Sequence, residues 1–535
     1  MGIPVNIITW VIALSPIFIL LLLMIKFQLG SIVAAPIALI DSIIFAFIAF
    51  KADVWFLIMQ CTKGVWNSLS VIIVIVPAVL IYEISKEAGT EQCILSEIKK
   101  LCPNKLLQIL AIGAVFPSFL QGITGFGVPV AVGAPLLIGI GIAPIWAVII
   151  PLLGQAWGGT FGTLAVAWDA LISQTQIGSN HEMVLKTAFY AGIFIWLWNF
   201  ICYLSICWFY GKGRGLKKGL PAVIVLCAIQ GGGQLLLGQQ NQTMACFLPS
   251  CVSMIALLFL GKTRWYNTPW EIADSQVLLS SGKTNNKAIV KAKMSIHQAF
   301  LPYYFLTLLT VVILLIRPLK EILSSFEIGF SFPEMVTGYD FIDKATDKYA
   351  PLAPLTHAGM FLLLSAFLGF FYYKRKGFIR KENQTDILKR TFKRTLPSGL
   401  VIMEFIVMSR VMSGTGMTMV LAYGISSVLE RFYIVLTPFI GMLGSFMTSS
   451  TMSSNILFGE FQLITAKLLK IDPGPILAAQ TAGGSIGNMI SPGSIVLGAT
   501  TAGIIGSEGK ILKKIIPLAL FCVMSMGIIL ILLFI

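Results

Sequence analysis

The sequence predicts an all-α polytopic membrane protein with about twelve transmembrane helices and two re-entrant hairpins in an inverted-topology repeat. Three observations carry that prediction. Of 535 residues, 57% are hydrophobic and 11% are charged, and the mean hydropathy is +0.88. That is more apolar surface than a soluble chain of this size can hide. Many runs also reach the ~20 apolar residues needed to cross ~30 Å of hydrocarbon. Finally, one octad of the form Q-x-x-G-G-x-x-G occurs in each half, as QAWGGTFG (155–162) and QTAGGSIG (480–487).

The first run, 5–25, has no basic residue before it and no small-residue cleavage site, so it reads as a transmembrane helix and not as a signal peptide. The further spans fall near 31–50, 65–84, 143–168, 187–209, 220–238, 242–260, 300–317, 357–373, 397–412, 474–505 and 515–535. Charge orients them. The stretch 211–219 has four basic residues and no acid, and 374–394 has nine basic and two acidic. Both therefore face the cytoplasm, whereas 318–356, with six acidic and three basic residues, faces outside. The polar stretch 261–295, six basic and two acidic, is an inner and irregular loop. Both termini then lie outside.

Parity excludes two apolar stretches from this count. Lys99, Lys100 and Lys105 place the start of 106–140 inside, and 143–168 with 187–209 already supply the crossings needed to reach the inner loop at 211–219. The stretch 106–140 must enter and leave on one side, as a hairpin. The same count makes 432–470 a hairpin entering from outside.

Each half then reads as span, amphipathic surface helix (87–102, 413–430), hairpin and broken span. The two copies run in opposite orientation, which is the signature of secondary transporters. The domain reading is N-terminal scaffold 1–63, first repeat 64–210, central scaffold 211–394 and second repeat 395–535. Glycine pairs within transmembrane helices often serve close packing. The recurrence of the octad behind matched hairpins favours a site instead. Irregular backbone at membrane depth is tolerated only where it is buried in protein or lines a cavity. Half-helix N-termini there offer free N–H groups and a positive dipole end to a carboxylate.

The residues expected to line that site come from the hairpin tips and the octads. From the first half they are Gln121, Thr124, Gly125, Gly127, Gln155, Gly158 and Gly159. From the second they are Ser449, Ser450, Thr451, Ser453, Ser454, Asn455, Gln480, Gly483, Gly484 and Asn488. Their hydroxyls and amides suit a small anion with a hydroxyl group.

At these residues the sequence resembles the lactate permease family of L-lactate and glycolate permeases. GFGVPVAV (125–132), SSNILF (453–458) and GGSIGNMISPGSI (483–495) carry the resemblance, which runs from the first span to the last. It implies proton-coupled uptake of small 2-hydroxymonocarboxylates across the cell membrane, and kinship with elevator-type transporters, which often pair as homodimers through their scaffolds. The spans 31–50, 65–84 and 357–373 would form such an interface. Three positions depart from the family's pattern. Gln121, Thr451 and Asn488 are neutral where the family carries Glu, Asp and Lys. A neutral Gln121 cannot carry a proton as a carboxylate does, so the coupling ion stays open between H⁺ and Na⁺.

Charges elsewhere are candidates for coupling. Asp41 and Glu404 lie deep in apolar spans, where a charge costs at least ~2.5 kcal/mol and usually marks function or an ion pair. Glu83, Asp169, His181 and His357 lie near span ends, where solvated anchoring competes with function. Trp157 is either a stacking platform or packing.

Other classes fare worse. The net charge of +15 reflects inner loops and not nucleic-acid binding. Nine cysteines without C-x-x-C and three scattered histidines imply neither a disulfide framework nor a metal or cofactor. A sodium-coupled transporter of a different organic anion is the nearest alternative. A membrane-embedded enzyme would need catalytic motifs that this sequence lacks, and a passive channel would not need opposed hairpins. The expected partners are a small carboxylate, H⁺ or Na⁺, and the lipid bilayer.

Overall fold

Apolar runs with few breakers fold as long helices, because the membrane interior leaves backbone groups no other partner. The computed structural model describes residues 3–27, 29–101, 103–125, 127–279 and 294–534. Helices α1 (Ile7–Leu21) and α2 (Ser31–Ile48) form an antiparallel pair ahead of α3 (Val54–Ala88), which Asp53 caps through the Phe56 N–H. The amphipathic α4 (Thr90–Leu101) follows, where a surface helix was expected.

The first hairpin is then built from α5 (Lys105–Leu110), a wide turn at Ala111–Val115, α6 (Phe116–Ile123) and the returning α7 (Val128–Gly139). Its arms are antiparallel: Lys105 Nζ donates to the Ile140 carbonyl at 2.7 Å, and Pro117 lies against Gly133 near the tip. With 12 residues, α7 is only about 18 Å long, too short to cross. The bent pair α8 (Pro144–Gln155) and α9 (Gly162–Thr175) follows, its halves inclined by 53°.

Helix α10 (His181–Cys227) reverses direction at Gly211–Lys212, where the backbone leaves helical values. Its arms pack back to back, with Gly215 and Gly219 against Cys207 and Gly231 against Trp196. The spans expected near 187–209 and 220–238 are these two arms, joined by a tight reversal. The second arm continues through α11 (Gly233–Gly238), and α12 (Phe247–Lys262) follows. Of the inner loop that comes next, 280–293 lies outside the described residues. The chain resumes in α13 (Ile296–Leu315) and α14 (Arg317–Ser324).

The acidic loop 318–356, expected only as an outer connection, contains structure of its own. Strands β1 (Ile328–Phe332) and β4 (Thr346–Leu352) pair antiparallel, as do β2 (Met335–Val336) and β3 (Ile342–Asp343). These ribbons sit on the start of α3. Trp66 Nε1 donates to the Tyr349 carbonyl at 3.0 Å, and Lys63 Nζ lies 2.6 Å from Asp343 Oδ2.

The second half repeats the first. Helix α15 (Ala358–Arg375) leads to α16 (Gln384–Gly414), which packs along α3, and α17 (Met417–Leu429) matches α4. Helices α18 (Tyr433–Thr448) and α19 (Thr451–Leu468) form the second hairpin. The Tyr433 hydroxyl donates to Gln462 Oε1, and Ser454 Oγ donates to the Gly441 carbonyl at 2.8 Å. A second interrupted pair, α20 (Pro473–Ile490) and α21 (Pro492–Thr501), precedes α22 (Glu508–Phe534). The opposite ends of the α3–α16 pair carry different ion pairs. Glu83 meets Arg390 at 3.0 Å and Arg394 at 2.8 Å at one end, and Lys63 meets Asp343 at the other.

Among the described residues, ten helices are long and apolar enough to cross a membrane, or eleven if the bent pair is one span, against about twelve expected. The stretch His181–Gly238 counts once there although it makes two antiparallel arms.

One expectation is corrected. The octad at 155–162 does break a helix, but the one at 480–487 lies inside continuous α20, and the second interruption falls at Ser491. The reason is packing. A Cβ added at Gly483 would overlap the Pro438 carbonyl, and one at Gly487 the Met442 carbonyl, so these glycines let α20 lie directly on the backbone of α18. A helix supported by a neighbouring backbone has no cause to unwind.

Candidate functional site

The first octad leads into irregular backbone. After α8 the chain makes one tight turn at Ala156–Gly158. Thr163, Leu164 and Ala165 then take left-handed values, φ 51°, 52° and 69°. Left-handed conformation costs non-glycine residues roughly 1–2 kcal/mol each, so three in a row persist only because the surroundings impose them. The first hairpin tip supplies part of that constraint. Gly125 is also left-handed, φ +53°, and its bare Cα faces Thr163 Oγ1, which any side chain would strike.

Break and hairpins meet in one buried polar layer. Thr160 Oγ1 lies 3.0 Å from Ser485 Oγ and 3.1 Å from Thr481 Oγ1. Thr160 and Ser485 hold the same sixth place in the two octads, so equivalent positions of the repeat touch each other. Asn455, in the first turns of α19, donates to Thr481 Oγ1 at 2.9 Å and to the Ala167 carbonyl of α9 at 2.8 Å. Gln121 of α6 packs over Gly158 and Gly162, and Thr451 packs over Gly484.

Three buried atoms in this region have no hydrogen-bond partner among the described residues: Thr451 Oγ1, Asn455 Oδ1 and Gln155 Oε1. Leaving such an atom unsatisfied costs about 1–3 kcal/mol, which a ligand can recover. Ser450 caps α19 by accepting from the Ser453 N–H at 3.2 Å, and the first N–H groups of that helix have no intrahelical acceptor. The layer therefore offers a carboxylate helix-end N–H groups and the Thr451 hydroxyl, and offers an alcohol the Asn455 carbonyl oxygen.

Other expected residues play different parts. Gln480 is saturated within the protein: Nε2 donates to Ser454 O and Oγ at 3.2 and 3.1 Å, and Oε1 accepts from Gln462 at 3.0 Å. Ser454 belongs to the same network. Gly483 serves the α18 contact described above. The Thr124 hydroxyl donates to its own helix at Leu120 O, 2.9 Å. Ser453 is buried beside Asn455, and Gly159 lies against Ser485. Ser449, with φ 55°, bridges the second tip to α21 by accepting from the Gly493 N–H at 3.1 Å, and Asn488 Oδ1 accepts from Ser494 Oγ at 3.3 Å. Gly127 starts α7 and faces Leu497 of α21.

Trp157 is packing, since its Nε1 donates to Ser118 Oγ at 2.7 Å. Asp41 accepts from Ser15 Oγ at 2.7 Å between α1 and α2, away from the layer. Glu404 lies on α16 with Oε2 buried and without a partner among the described residues. Sequence reasoning missed Thr160, Thr163, Thr481 and Ser485. Aligning the octads would have found Thr160 and Ser485, which share a position.

A family model described as L-lactate permease matches residues 9–535. The chain belongs to the L-lactate permease family. It is 27% identical to the L-lactate permease of Halalkalibacterium halodurans over 516 residues, which cover 94% of this chain and 92% of that one. It is 28% identical to the L-lactate permease and 27% identical to the glycolate permease GlcA of Escherichia coli (strain K12), each over 546 residues covering 97% and 94%. Among solved structures, the YdaH transporter of Alcanivorax borkumensis aligns with a TM-score of 0.44 at 13% identity, over 89% of this chain and 88% of that one. The protein is thus a permease and not an enzyme, a multi-pass protein of the cell membrane.

Proposed function

We propose that the protein is a secondary active transporter that imports small 2-hydroxymonocarboxylates, of the L-lactate and glycolate type, at the polar layer. The observation that carries this reading is the set of orphaned atoms, Thr451 Oγ1 and Asn455 Oδ1, beside the free N–H end of α19. A carboxylate binds the helix end and the Thr451 hydroxyl, and the 2-hydroxyl donates to Asn455 Oδ1. Relatives named for L-lactate and for glycolate support this substrate class. The hairpins and the broken spans that follow them form the moving part, and the remaining helices, including the spans 31–50, 65–84 and 357–373, form the scaffold, paired as a homodimer. The driving ion is H⁺, with Asp41 and Glu404 among the carboxylates available to carry it. Sodium held by backbone carbonyls of the break is the second reading, favoured by neutral Gln121.

Counterflow of radiolabelled L-lactate against a panel of short carboxylates tests this directly. L-Lactate and glycolate should exchange, and propionate, which lacks the hydroxyl, should exchange poorly. Equal exchange of propionate would remove the role of Asn455, and exchange of none would overturn the substrate class.

A further inference from the structure

We propose that Arg410 is an outer docking position for the substrate's carboxylate, and that Glu460 is the buried anion that competes with the substrate for the charge of that guanidinium. The inference rests on the transport reading above and adds a second station to it.

Arg410 lies on α16 and is 3% exposed, yet its Nε and Nη1 have no hydrogen-bond partner among the described residues. Glu460 lies opposite on α19. Its Oε1 accepts from Ser413 Oγ at 2.5 Å, while its Oε2 is buried without a partner. The two side chains are opposite in charge but are not joined in an ion pair. A guanidinium closed onto a carboxylate would use both donors in a fork. Here donors and acceptor stand open, which is costly in a buried place unless a third party fills them.

The neighbouring charges do not fill them. Asp343 is engaged by Lys63 at 2.6 Å and by Gln60 Nε2 at 2.5 Å. Tyr349 presents its ring 5.9 Å from the Arg410 guanidinium. Burial raises the Tyr349 hydroxyl above its ordinary pKa, with Arg410 pulling the other way, so it stays neutral. Lys467 follows on α19 itself, and α9 brings Asp169, while α17, α18 and α20 carry no charged side chain.

The position fits a path to the polar layer. Ser409, adjacent to Arg410, donates to the Ile456 carbonyl at 2.9 Å and to Gln174 Oε1 at 3.2 Å. Ile456 follows Asn455, so Arg410 stands beside the layer, and Glu460 lies five residues further along α19, about 7.5 Å outward along the helix axis. A carboxylate that takes Arg410 leaves Glu460 as an uncompensated buried anion. Glu460 then takes one proton from the outer aqueous side onto Oε2, and Arg410 keeps its charge throughout. Substrate entry and proton entry are joined at this pair.

The test is proton uptake on binding, read with a pH indicator on the detergent-purified full chain in unbuffered solution as L-lactate or glycolate is added. Wild type should take up protons in proportion to bound ligand. E460Q should bind more tightly, having lost the competing anion, and take up none. R410Q should bind about 10- to 100-fold more weakly. R410K, which keeps the charge but not the fork, should keep the uptake with weaker binding. If either neutral variant misfolds, the double variant R410Q/E460Q, which removes both charges together, should fold and show weak binding without uptake. Undiminished uptake in E460Q, or unchanged affinity in R410Q, overturns the inference while leaving the transport reading intact. A wild-type chain that binds neither ligand overturns both.

Discussion

Replacing Asn455 by Ala tests the polar layer most sharply, because one side chain joins three elements and still has an open acceptor. Its amide donates to the Ala167 carbonyl at 2.8 Å and to Thr481 Oγ1 at 2.9 Å. Each bond contributes about 1 kcal/mol net, and the buried carbonyl left behind adds a penalty of about 1–3 kcal/mol. Asn455→Ala should therefore destabilise the fold by about 3–5 kcal/mol. Loss of the Oδ1 contact to the substrate hydroxyl, about 1 kcal/mol, should raise the Kd for L-lactate about fivefold. The assay pairs denaturant unfolding of the detergent-solubilised protein with equilibrium binding of L-lactate and propionate. The discriminating result is selectivity: the lactate preference should shrink while propionate binding barely changes. Wild-type stability would refute the bridging role, and an unchanged lactate-to-propionate ratio would refute the contact to the hydroxyl.

Gln480→Leu should lower stability by removing a saturated amide, yet shift the lactate-to-propionate ratio less than Asn455→Ala; equal shifts in a binding assay would contradict its structural role. Gly487→Val should force α20 off the Met442 carbonyl and abolish monodisperse protein in size-exclusion chromatography, whereas Gly503→Ala, in open space, should only strain its left-handed turn. Lys63→Met leaves Asp343 without its cation at a largely buried place and should cost about 3–5 kcal/mol, with Lys63→Met/Asp343→Asn recovering much of it. Full stability of the single variant would mean that the strand loop does not depend on this pair.

The hairpins were legible because charge and parity are global constraints: Lys99, Lys100 and Lys105 fix a side, and the apolar runs must be even or odd in number between fixed sides. The break at 155–162 was legible as a glycine pair, but the same reading failed at 480–487. Whether Gly-Gly interrupts a helix depends on what lies against it, and α18 supplies a backbone for Gly483 and Gly487 that no local pattern announces. Saturation is equally invisible from sequence. Gln155 and Gln480 head octads of the same pattern, yet Gln480 is fully bonded and Gln155 keeps an open oxygen. The outer ribbons escaped notice because Lys63 and Asp343, 280 residues apart, meet only once the chain has folded.

The central claim is gradient-driven uptake of a 2-hydroxymonocarboxylate. Radiolabelled L-lactate uptake into proteoliposomes, under an imposed proton gradient and separately under an imposed sodium gradient, measures it. The account predicts accumulation above equilibrium with the proton gradient, abolished by a protonophore and absent with sodium alone. Sodium-driven accumulation would contradict the choice of ion, and no accumulation under either gradient would contradict the claim itself.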